Sequence, residues 1–236
     1  LPRVALFIPC FVDQLCPQVG VAMVRVLRRI GCEVYFAEEQ TCCGQPAFNS
    51  GYWDEARPVA QRFLKAFEKA EVVVGPSGSC VTMVRKFSPE LLGDAAVGLG
   101  KFYEFSEFLC DVAKVEDVGA SFAHKVTVHD SCHSLRELGI REGPRRLLKN
   151  VRGMELLEMK NSDECCGFGG TFAVKFGMIS AAMGETKSEN AIDTGAEFVT
   201  SVDPSCLMHL DGVLRKKKAA LRTMHLAEIL ASEAAR

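Results

Sequence analysis

The amino-acid sequence predicts an α/β fold built from two homologous repeats. Each repeat is expected to be a mostly parallel sheet flanked by helices, and the two to be related by pseudo-two-fold symmetry. Two observations support this: a cysteine pattern occurs twice with matching flanks, and short apolar runs alternate with helical patterns. The 236 residues suffice for two units of this kind. We expect the repeats to occupy residues 1–118 and 122–236.

The duplication is visible in the cysteine spacing. Each half contains a single cysteine, a vicinal pair followed by glycine, and another single cysteine. These residues are Cys10, Cys42, Cys43 and Cys80 in the first half and Cys132, Cys165, Cys166 and Cys206 in the second. The flanks match as well: VALFIPC resembles VTVHDSC, VVVGPSGSCVTMV resembles FVTSVDPSCLMHL, and YEFSEFLCDV resembles MHLAEILASE. Landmarks that recur in the same order at similar spacing indicate two copies of one unit.

Strands are predicted where short runs are β-branched or apolar, because the strands of a parallel sheet are buried on both faces. In the first repeat these runs are RVALFI, EVYFA and EVVVG, and in the second KVTVH, MELLEM and EFVTSV. Periodic apolar patterns predict helices at 19–30, 54–70 and 177–194. Strands that alternate with helices of this length indicate parallel sheets.

The predicted strands also give the cysteines a location. The single cysteines come just after a strand, and each vicinal pair follows the middle strand of its repeat. The carboxyl ends of parallel strands meet at one edge of a sheet, where ligands usually bind. We therefore expect the four cysteines of each repeat to lie close together. The neighbouring glycines and prolines favour tight turns and let the backbone approach a bulky inorganic group.

The composition argues against several classes of protein. A formal net charge of −2 gives no electrostatic basis for binding nucleic acid. No apolar run approaches the roughly 18 residues of a membrane span, so we expect no direct span. The chain has eleven cysteines, an odd number, and shows no secretory signal, which points to a reducing compartment. We expect the protein to be cytoplasmic.

Three kinds of cysteine chemistry compete for these residues. A vicinal disulfide would be strained and would not require Cys10 or Cys80. Zinc accepts four sulfurs, but structural zinc sites usually contain a Cys-x2–4-Cys hairpin, which neither repeat has. An iron–sulfur cluster has separate irons, so adjacent cysteines can bind different metal corners. The pattern favours the cluster, and zinc remains an alternative.

The repeated Cys…CCG…Cys pattern, with its motifs QTCCGQP and ECCGFGG, resembles the CCG cysteine-rich domain family over essentially the whole chain. That family includes the cysteine-rich component of heterodisulfide reductase and the glycolate oxidase iron–sulfur subunit. In length and tandem arrangement the chain is most similar to the branch that serves lactate utilization. This resemblance implies an iron–sulfur electron-transfer subunit of a bacterial multi-subunit system that oxidises L-lactate to pyruvate.

The same resemblance implies one cluster per repeat, of the 4Fe–4S type, held by the eight cysteines named above. Such clusters are expected to be lost, or replaced by zinc, during aerobic preparation. Two alternatives stay open. The chain could be a glycolate oxidase-type or heterodisulfide reductase-type oxidoreductase subunit that acts on another substrate. It could also be a non-redox assembly protein stabilised by zinc.

The sequence departs from the heterodisulfide reductase pattern at the end of each repeat. In that enzyme the motif ends in Cys-x-x-Cys, whereas here it ends in Cys80-Val-Thr-Met83 and Cys206-Leu-Met-His209. Each repeat therefore has four cysteines rather than five, and His209 is a candidate extra ligand. His129, Asp130 and His133 surround Cys132; they either tune a cofactor or carry protons, or they form a hydrogen-bonded turn.

A separate electron partner is also expected. The glycolate oxidase subunit carries ferredoxin segments of the form Cys-x2-Cys-x2-Cys-x3-Cys-Pro beside its repeats, and this sequence contains none. Electrons must then pass to a ferredoxin-like iron–sulfur subunit, and a further companion protein would complete the lactate-oxidising complex. We expect this chain to be a subunit of an oxidoreductase complex rather than a complete enzyme.

Overall fold

The computed structural model describes residues 2–233 and contains two four-stranded sheets whose paired strands all run parallel. The first sheet consists of β1 (Arg3–Leu6), β2 (Glu33–Phe36), β3 (Val72–Gly75) and β4 (Phe102–Glu104). The second consists of β5 (Lys125–Val128), β6 (Glu155–Leu156), β7 (Phe198–Ser201) and β8 (Arg222–His225). The strand orders are β2-β1-β3-β4 and β6-β5-β7-β8, so both repeats have the same topology.

Helices connect and flank the strands in both repeats. The first repeat contains α1 (Cys10–Leu15), α2 (Pro17–Arg29), α3 (Gln45–Asn49), α4 (Trp53–Ala66), α5 (Gly78–Thr82), α6 (Ser88–Leu92) and α7 (Phe105–Glu107). The second contains α8 (Cys132–Leu138), α9 (Glu142–Lys149), α10 (Thr171–Lys175), α11 (Gly177–Ile192), α12 (Pro204–Lys216) and α13 (Leu226–Ala231). Two π-helical segments (Met83–Phe87 and Phe108–Val112) continue α5 and α7, and 3-10 turns occupy Gly93–Ala95 and Leu99–Lys101.

The predicted fold class is confirmed, and the differences lie at the sheet edges. Each repeat has a fourth strand, β4 or β8, that the sequence did not predict. Both are edge strands with one neighbour, so they do not need the continuous apolar run of a central strand. The β8 sequence Arg-Thr-Met-His is polar at both ends for this reason. The predicted strand MELLEM shortens to the two residues of β6, another edge strand.

Successive side chains of a strand point to opposite faces of the sheet, so each sheet contributes to two different cores. Val4 and Leu6 of β1 point into a central core that also receives Val126 and Val128 of β5, so this core joins both repeats. On the opposite face, Phe7 and its neighbours pack against α4 in a core of the first repeat. A separate cluster of buried residues covers the corresponding face of the second sheet.

Helices of one repeat pack against helices of the other, in two matching pairs. The helix α2 contacts α13, and α9 contacts α7. At the first contact the Arg29 guanidinium donates to the carbonyl oxygens of Leu230 (2.9 Å) and Ala231 (3.0 Å), at the negative end of α13. At the second, the Cys110 thiol lies 3.5 Å from the Gly143 carbonyl oxygen. In each pair a helix of one repeat contacts the last helix of the other, which matches the expected pseudo-two-fold relation.

The two repeats approach each other closely where α5 meets α8. A Cβ atom added to Gly78 would lie 2.9 Å from Cβ of Ser134 and 1.7 Å from its Oγ, so a side chain does not fit there. The Gly78 amide also donates to the Val202 carbonyl oxygen at 3.3 Å. The absence of a side chain at Gly78 lets the carboxyl ends of the two sheets come together.

The last strand of each repeat ends in the same helix-capping arrangement. Glu104 at the end of β4 and His225 at the end of β8 each accept a hydrogen bond from the amide two residues later. Three residues on, Glu107 and Glu228 accept from the capping residue's own amide, completing a capping box. Burial raises the pKa of Glu104 to about 8 and lowers that of His225 to about 4. Equivalent positions thus hold an acid and a base, both neutral near pH 7.

Within residues 2–233 we find no helix whose length and apolar character would let it cross a membrane.

The lowered pKa of His225 predicts that the folded protein becomes less stable in acid. Its pKa is about 4 in the folded chain, against about 6.5 for an exposed imidazole. A group with a lowered folded pKa contributes its stability above pH about 6.5 and loses it as the pH falls toward 4, because the unfolded chain takes up the proton first. Between pH 7 and pH 5 this group should reduce the free energy of unfolding by about 2 kcal/mol.

Urea unfolding of the wild type and of His225→Asn at both pH values measures this contribution. Asn keeps a side-chain acceptor for the Ala227 amide but does not titrate. The variant should therefore lose about 2 kcal/mol less than the wild type over the same range. Equal losses in the two proteins would show that His225 does not control this part of the pH dependence.

Candidate metal centre

The candidate site forms where the carboxyl ends of the two sheets face each other. Cys10 and Cys132 are the first residues of α1 and α8, which follow the first strand of each repeat. Cys80 and Cys206 are the third residues of α5 and α12, which follow the third strand. The four single cysteines therefore occupy equivalent positions in the first turn of a helix, just past a strand.

The two vicinal pairs lie on turns that glycine makes possible. Gly44 and Gly167 follow the pairs with φ angles of 89° and 93°, a region that other residues rarely adopt. Their amides point back to the first cysteine of each pair, at 3.4 Å from Cys42 Sγ and 3.3 Å from Cys165 Sγ. At Gly167 an added Cβ would also lie 2.6 Å from the Ser180 carbonyl oxygen. Both turns therefore place a backbone donor against a sulfur.

In the first repeat the side chain of Gln40 fixes the cysteine loop to the end of β1. Its Oε1 accepts from the Ile8 amide at 2.8 Å. Its Nε2 donates to the carbonyl oxygens of Leu6 (3.2 Å) and Ala37 (3.1 Å). This amide uses both its donor and its acceptor on backbone groups, so the Cys42–Cys43 turn is held next to Cys10.

In the second repeat a buried ion pair has the same role. Asp130, at the position of Ile8, accepts from the Ser162 hydroxyl at 2.8 Å, and its amide donates to the Ser162 carbonyl oxygen at 3.0 Å. The guanidinium of Arg145 bridges Asp130 (2.8 and 3.0 Å) and Glu158 (2.8 and 2.9 Å). Bidentate pairs of this kind fix geometry strongly. Sequence reasoning offered Asp130 as either a cofactor-tuning residue or a turn residue, and these contacts are those of a turn residue.

A buried ammonium group lies beside the second cysteine loop. Lys187 of α11 is 1% exposed, and its Nζ donates to the Asn161 carbonyl oxygen. Asn161 has a φ of 55°, so the loop before Cys165 contains a left-handed residue that this contact holds. Burial lowers the pKa of Lys187, and the nearby carboxylates and Cys166 oppose this effect.

All eight predicted cysteines line one cleft. The cleft has a volume of about 330 Å³, and the rings of Phe11 and Phe168 meet edge to face at its lining, with centroids 6.0 Å apart. The cysteines in its lining are Cys10, Cys42, Cys43, Cys80, Cys132, Cys165, Cys166 and Cys206. The structure thus brings both quartets to a shared opening, a relation that the sequence did not predict.

Within the first quartet the sulfurs form a continuous chain of contacts. Cys10 Sγ lies 3.7 Å from Cys42 Sγ, and Cys43 contacts both Cys42 and Cys80. Hydrogen bonds from Cys10 and Cys43, with the Gly44 amide, lower the pKa of Cys42 to about 3. The contact with Cys42 raises the pKa of Cys10 and of Cys43. One thiolate is therefore stabilised at Cys42 by its neighbouring thiols.

The second quartet repeats this arrangement and adds an imidazole. Contacts with Cys132 and Cys166 lower the pKa of Cys165 to about 2. Cys166 in turn lowers the pKa of Cys206 to about 7, and the adjacent imidazole of His129 acts in the same direction. The pKa of Cys132 and of Cys166 is raised. Thiolates form at equivalent positions in both repeats, and the thiolate is the form that binds metal.

The donor set fits an iron–sulfur cluster or another thiophilic metal centre. Each repeat presents four sulfurs, at least one of them held as a thiolate by surrounding donors. Backbone amides of Gly44 and Gly167 can offset the negative charge of a thiolate-bound centre. A thiolate cluster is stable in a buried site only when a cation or further donors balance its charge. The chemistry of the residues is therefore that of a metal-binding site.

Two residues of the site were missed or undervalued at the level of sequence. Asp203 is fully buried and lines the cleft; its carboxylate accepts from the Ser79 amide of the other repeat at 2.7 Å. The motif Asp-Pro-Ser-Cys is a helix-start signal that could have identified it. His129 is the second: its imidazole lies within 4.8 Å of the sulfurs of Cys166 and Cys206.

The remaining candidates lie in different surroundings. The structure does not bring His209 into the described lining of the cleft; its Nε2 is 3.2 Å from the Ser180 carbonyl oxygen. His133 does line the cleft, with Nδ1 3.8 Å from Cys132 Sγ. Cys32 and Cys110 are buried in the central core and Cys16 packs against it.

Comparison with known proteins agrees with the duplicated pattern. The family model of the cysteine-rich CCG domain matches residues 4–85 and again residues 126–211. Lactate utilization protein A of Bacillus velezensis is 47% identical, over 98% of this chain and 99% of its own. The protein of the same name from Exiguobacterium is 46% identical, over 98% of this chain and 97% of its own. Both findings confirm the resemblance that the sequence motifs indicated.

A solved structure shows the same fold without close sequence similarity. A hypothetical protein from Helicobacter pylori superposes with a TM-score of 0.60 at 13% identity. The superposition covers 97% of this chain and 49% of the Helicobacter chain, so the fold corresponds to about half of that protein. At this level of identity the likeness concerns the fold alone.

Removal of one sulfur from either quartet should release metal from that repeat only. Cys43→Ser and Cys166→Ser should each lower the iron bound after anaerobic reconstitution to about half of the wild-type value. The reason is that each buried thiol contacts two others of its own quartet. Iron and acid-labile sulfide analysis measures the effect.

Cys32→Ala is the matched control, because Cys32 is buried in the central core rather than at the cleft. It should leave the iron content unchanged. Wild-type iron in both Cys43→Ser and Cys166→Ser would contradict the ligand assignment.

Proposed function

The chain belongs to the cysteine-rich CCG domain family, and from this premise we propose that it is the iron–sulfur electron-transfer subunit of a system that oxidises L-lactate to pyruvate. One observation carries the proposal: the two cysteine quartets line a single cleft. The relatives named Lactate utilization protein A, which match nearly the whole chain, support lactate utilization as the process. The protein acts in the cytoplasm, in keeping with its unpaired cysteines.

Two quartets suit the electron count of the reaction. Oxidation of L-lactate to pyruvate breaks the O–H and Cα–H bonds of the alcohol and releases two protons and two electrons. A bound iron–sulfur cluster supplies a one-electron carrier, and the chain has one candidate site for it in each repeat. The eight cysteines hold the clusters, four to each repeat. The amides of Gly44 and Gly167 and the buried turn around Asp130 keep the sulfurs in place.

The protein works with partners, of which a ferredoxin-like iron–sulfur protein receives the electrons. The lip of the cleft supports this part of the proposal. Val174, which lines the cleft, is 86% exposed, and Met178 is 90% exposed, with exposed Phe176 and Ile179 beside them. Neighbouring apolar side chains left in water mark interaction surfaces more often than isolated ones do. This cleft-lip patch, Val174, Phe176, Met178 and Ile179, is the proposed contact for the electron partner.

Anaerobic reconstitution tests the function directly. If both quartets hold a four-iron cluster, the brown protein should contain about eight irons and eight sulfides per chain. The reduced clusters should give an EPR signal when L-lactate is added together with the two companion proteins. They should give none when the companions are left out, because the chain is not expected to oxidise lactate alone.

Three results would contradict the proposal, and each would favour a different function. A colourless protein that keeps one zinc per repeat after anaerobic purification would favour the assembly role. Reduction by glycolate but not by L-lactate would favour a glycolate oxidase-type subunit. Turnover of a disulfide by the isolated chain with an artificial reductant would favour the heterodisulfide reductase-type activity.

The partner contact has its own test. Val174→Glu and Met178→Glu place a charge in the cleft-lip patch and should each weaken binding of the iron–sulfur partner at least tenfold, which corresponds to about 1.4 kcal/mol. Calorimetric titration measures the dissociation constant. Val97→Glu is the matched control, because Val97 is 73% exposed in the other repeat. Equal effects of all three substitutions, or no effect of the first two, would remove the patch from the interface.

A further inference from the structure

His129 is a buried side chain whose hydrogen-bonding groups have no partner within the described part of the chain. The residue is 1% exposed, and neither Nδ1 nor Nε2 has a hydrogen-bond partner among residues 2–233. A buried polar atom left unpaired destabilises the folded protein, because it has lost its hydrogen bonds to water without gaining others. Such a group in a folded protein needs an explanation, and an absent ligand is one of them.

The position of His129 supplies that explanation. Its ring nitrogens lie within 4.8 Å of the sulfurs of Cys166 and Cys206, and the three side chains are all buried. On one metal ion a sulfur and a nitrogen are at most about 4.4 Å apart and two sulfurs at most about 4.6 Å, since metal–sulfur and metal–nitrogen bonds measure about 2.3 and 2.1 Å. Small side-chain adjustments therefore suffice to bring all three to one metal centre.

The backbone around His129 holds the ring at this place. Its amide donates to the Thr200 carbonyl oxygen at 2.8 Å, which continues the pairing of β5 with β7. The next residue, Asp130, is fixed by Arg145 and by Ser162. With the main chain held on both sides, the ring can turn about its side-chain bonds but cannot leave the end of the strand.

The first repeat has a hydrocarbon at the equivalent position. Phe7 corresponds to His129 in the matched motifs, and its amide donates to the Val74 carbonyl oxygen at 2.9 Å, as the His129 amide does to Thr200. The Phe7 ring packs against Phe63, with centroids 4.8 Å apart. Among the described residues at this position, the first repeat therefore offers no ligand atom, whereas the second offers one nitrogen beside its sulfurs.

We propose that His129 is a metal ligand of the second repeat, acting with Cys166 and Cys206, so that the two metal centres of the protein have different donor sets. The proposal rests on the metal-binding part of the function proposed above and not on lactate as the substrate. Imidazole ligands raise the reduction potential of an iron–sulfur centre relative to thiolates alone. The second centre should then be the more easily reduced of the two, which gives electron flow a direction within one chain.

Pulsed EPR on the reconstituted protein tests nitrogen ligation. Cys42→Ser combined with Cys43→Ser empties the first site, so the remaining signal comes from the second. Incorporation of 15N-histidine should change the nitrogen coupling in this background, and His129→Phe should abolish it and shift the midpoint potential downward. Phe is the residue that the same fold accepts at position 7. His133→Phe, also at the cleft, should leave the coupling unchanged.

A metal titration tests the role of His129 independently of the function proposed for the protein. Apo protein of the same background, titrated anaerobically with Co²⁺ alone, should bind it at least tenfold more weakly after His129→Phe, with altered d–d absorption bands. This arm needs neither a cluster nor lactate, so it stays informative if the proposed function fails. Identical Co²⁺ affinity and spectra with and without His129, or a nitrogen coupling that persists in His129→Phe, would overturn the proposal.

Discussion

The buried carboxylate of Asp203 joins the two repeats at the point where the cysteines gather. Its Oδ1 accepts from the Ser205 amide and hydroxyl at the start of α12 (3.1 and 2.6 Å), and its Oδ2 accepts from the Ser79 amide of the first repeat. One side chain thus caps its own helix and binds the helix turn that carries Cys80. Charge-assisted hydrogen bonds of this kind are stronger than neutral ones, and their loss would leave a buried charge unpaired. The shared cleft depends on this contact and on the close approach at Gly78.

The contact between the repeats also explains how duplication of one unit produces a cleft with two cysteine quartets. A single α/β unit of this type already gathers four cysteines, because three of its strands end near one another. Two such units, packed with their strand ends facing, turn two separate quartets toward one opening. The central core that joins both sheets fixes their relative position, so the two sites are held at a constant geometry.

The backbone fold is more similar between the two repeats than the side chains beside the two cysteine quartets are. Phe7 and His129 occupy equivalent backbone positions, yet one packs in an aromatic cluster and the other faces two cysteines. The cysteine loop is fixed by the neutral amide of Gln40 in the first repeat and by a buried ion pair of Asp130 in the second. Backbone hydrogen bonds set the fold in both repeats, so side chains at the strand ends were free to diverge.

The sequence by itself determined the fold class, the duplication and the eight cysteines that come together. Periodicity and spacing report these features because they depend on contacts within one repeat and on strands buried on both faces. The polar edge strand β8 escaped prediction because an edge strand need not be apolar. Only the tertiary structure decided that both quartets share a cleft, that His129 rather than His209 faces the sulfurs, and that Asp203 links the repeats. These are contacts between residues far apart in the chain, and their geometry depends on how two complete sheets pack, which no local pattern records.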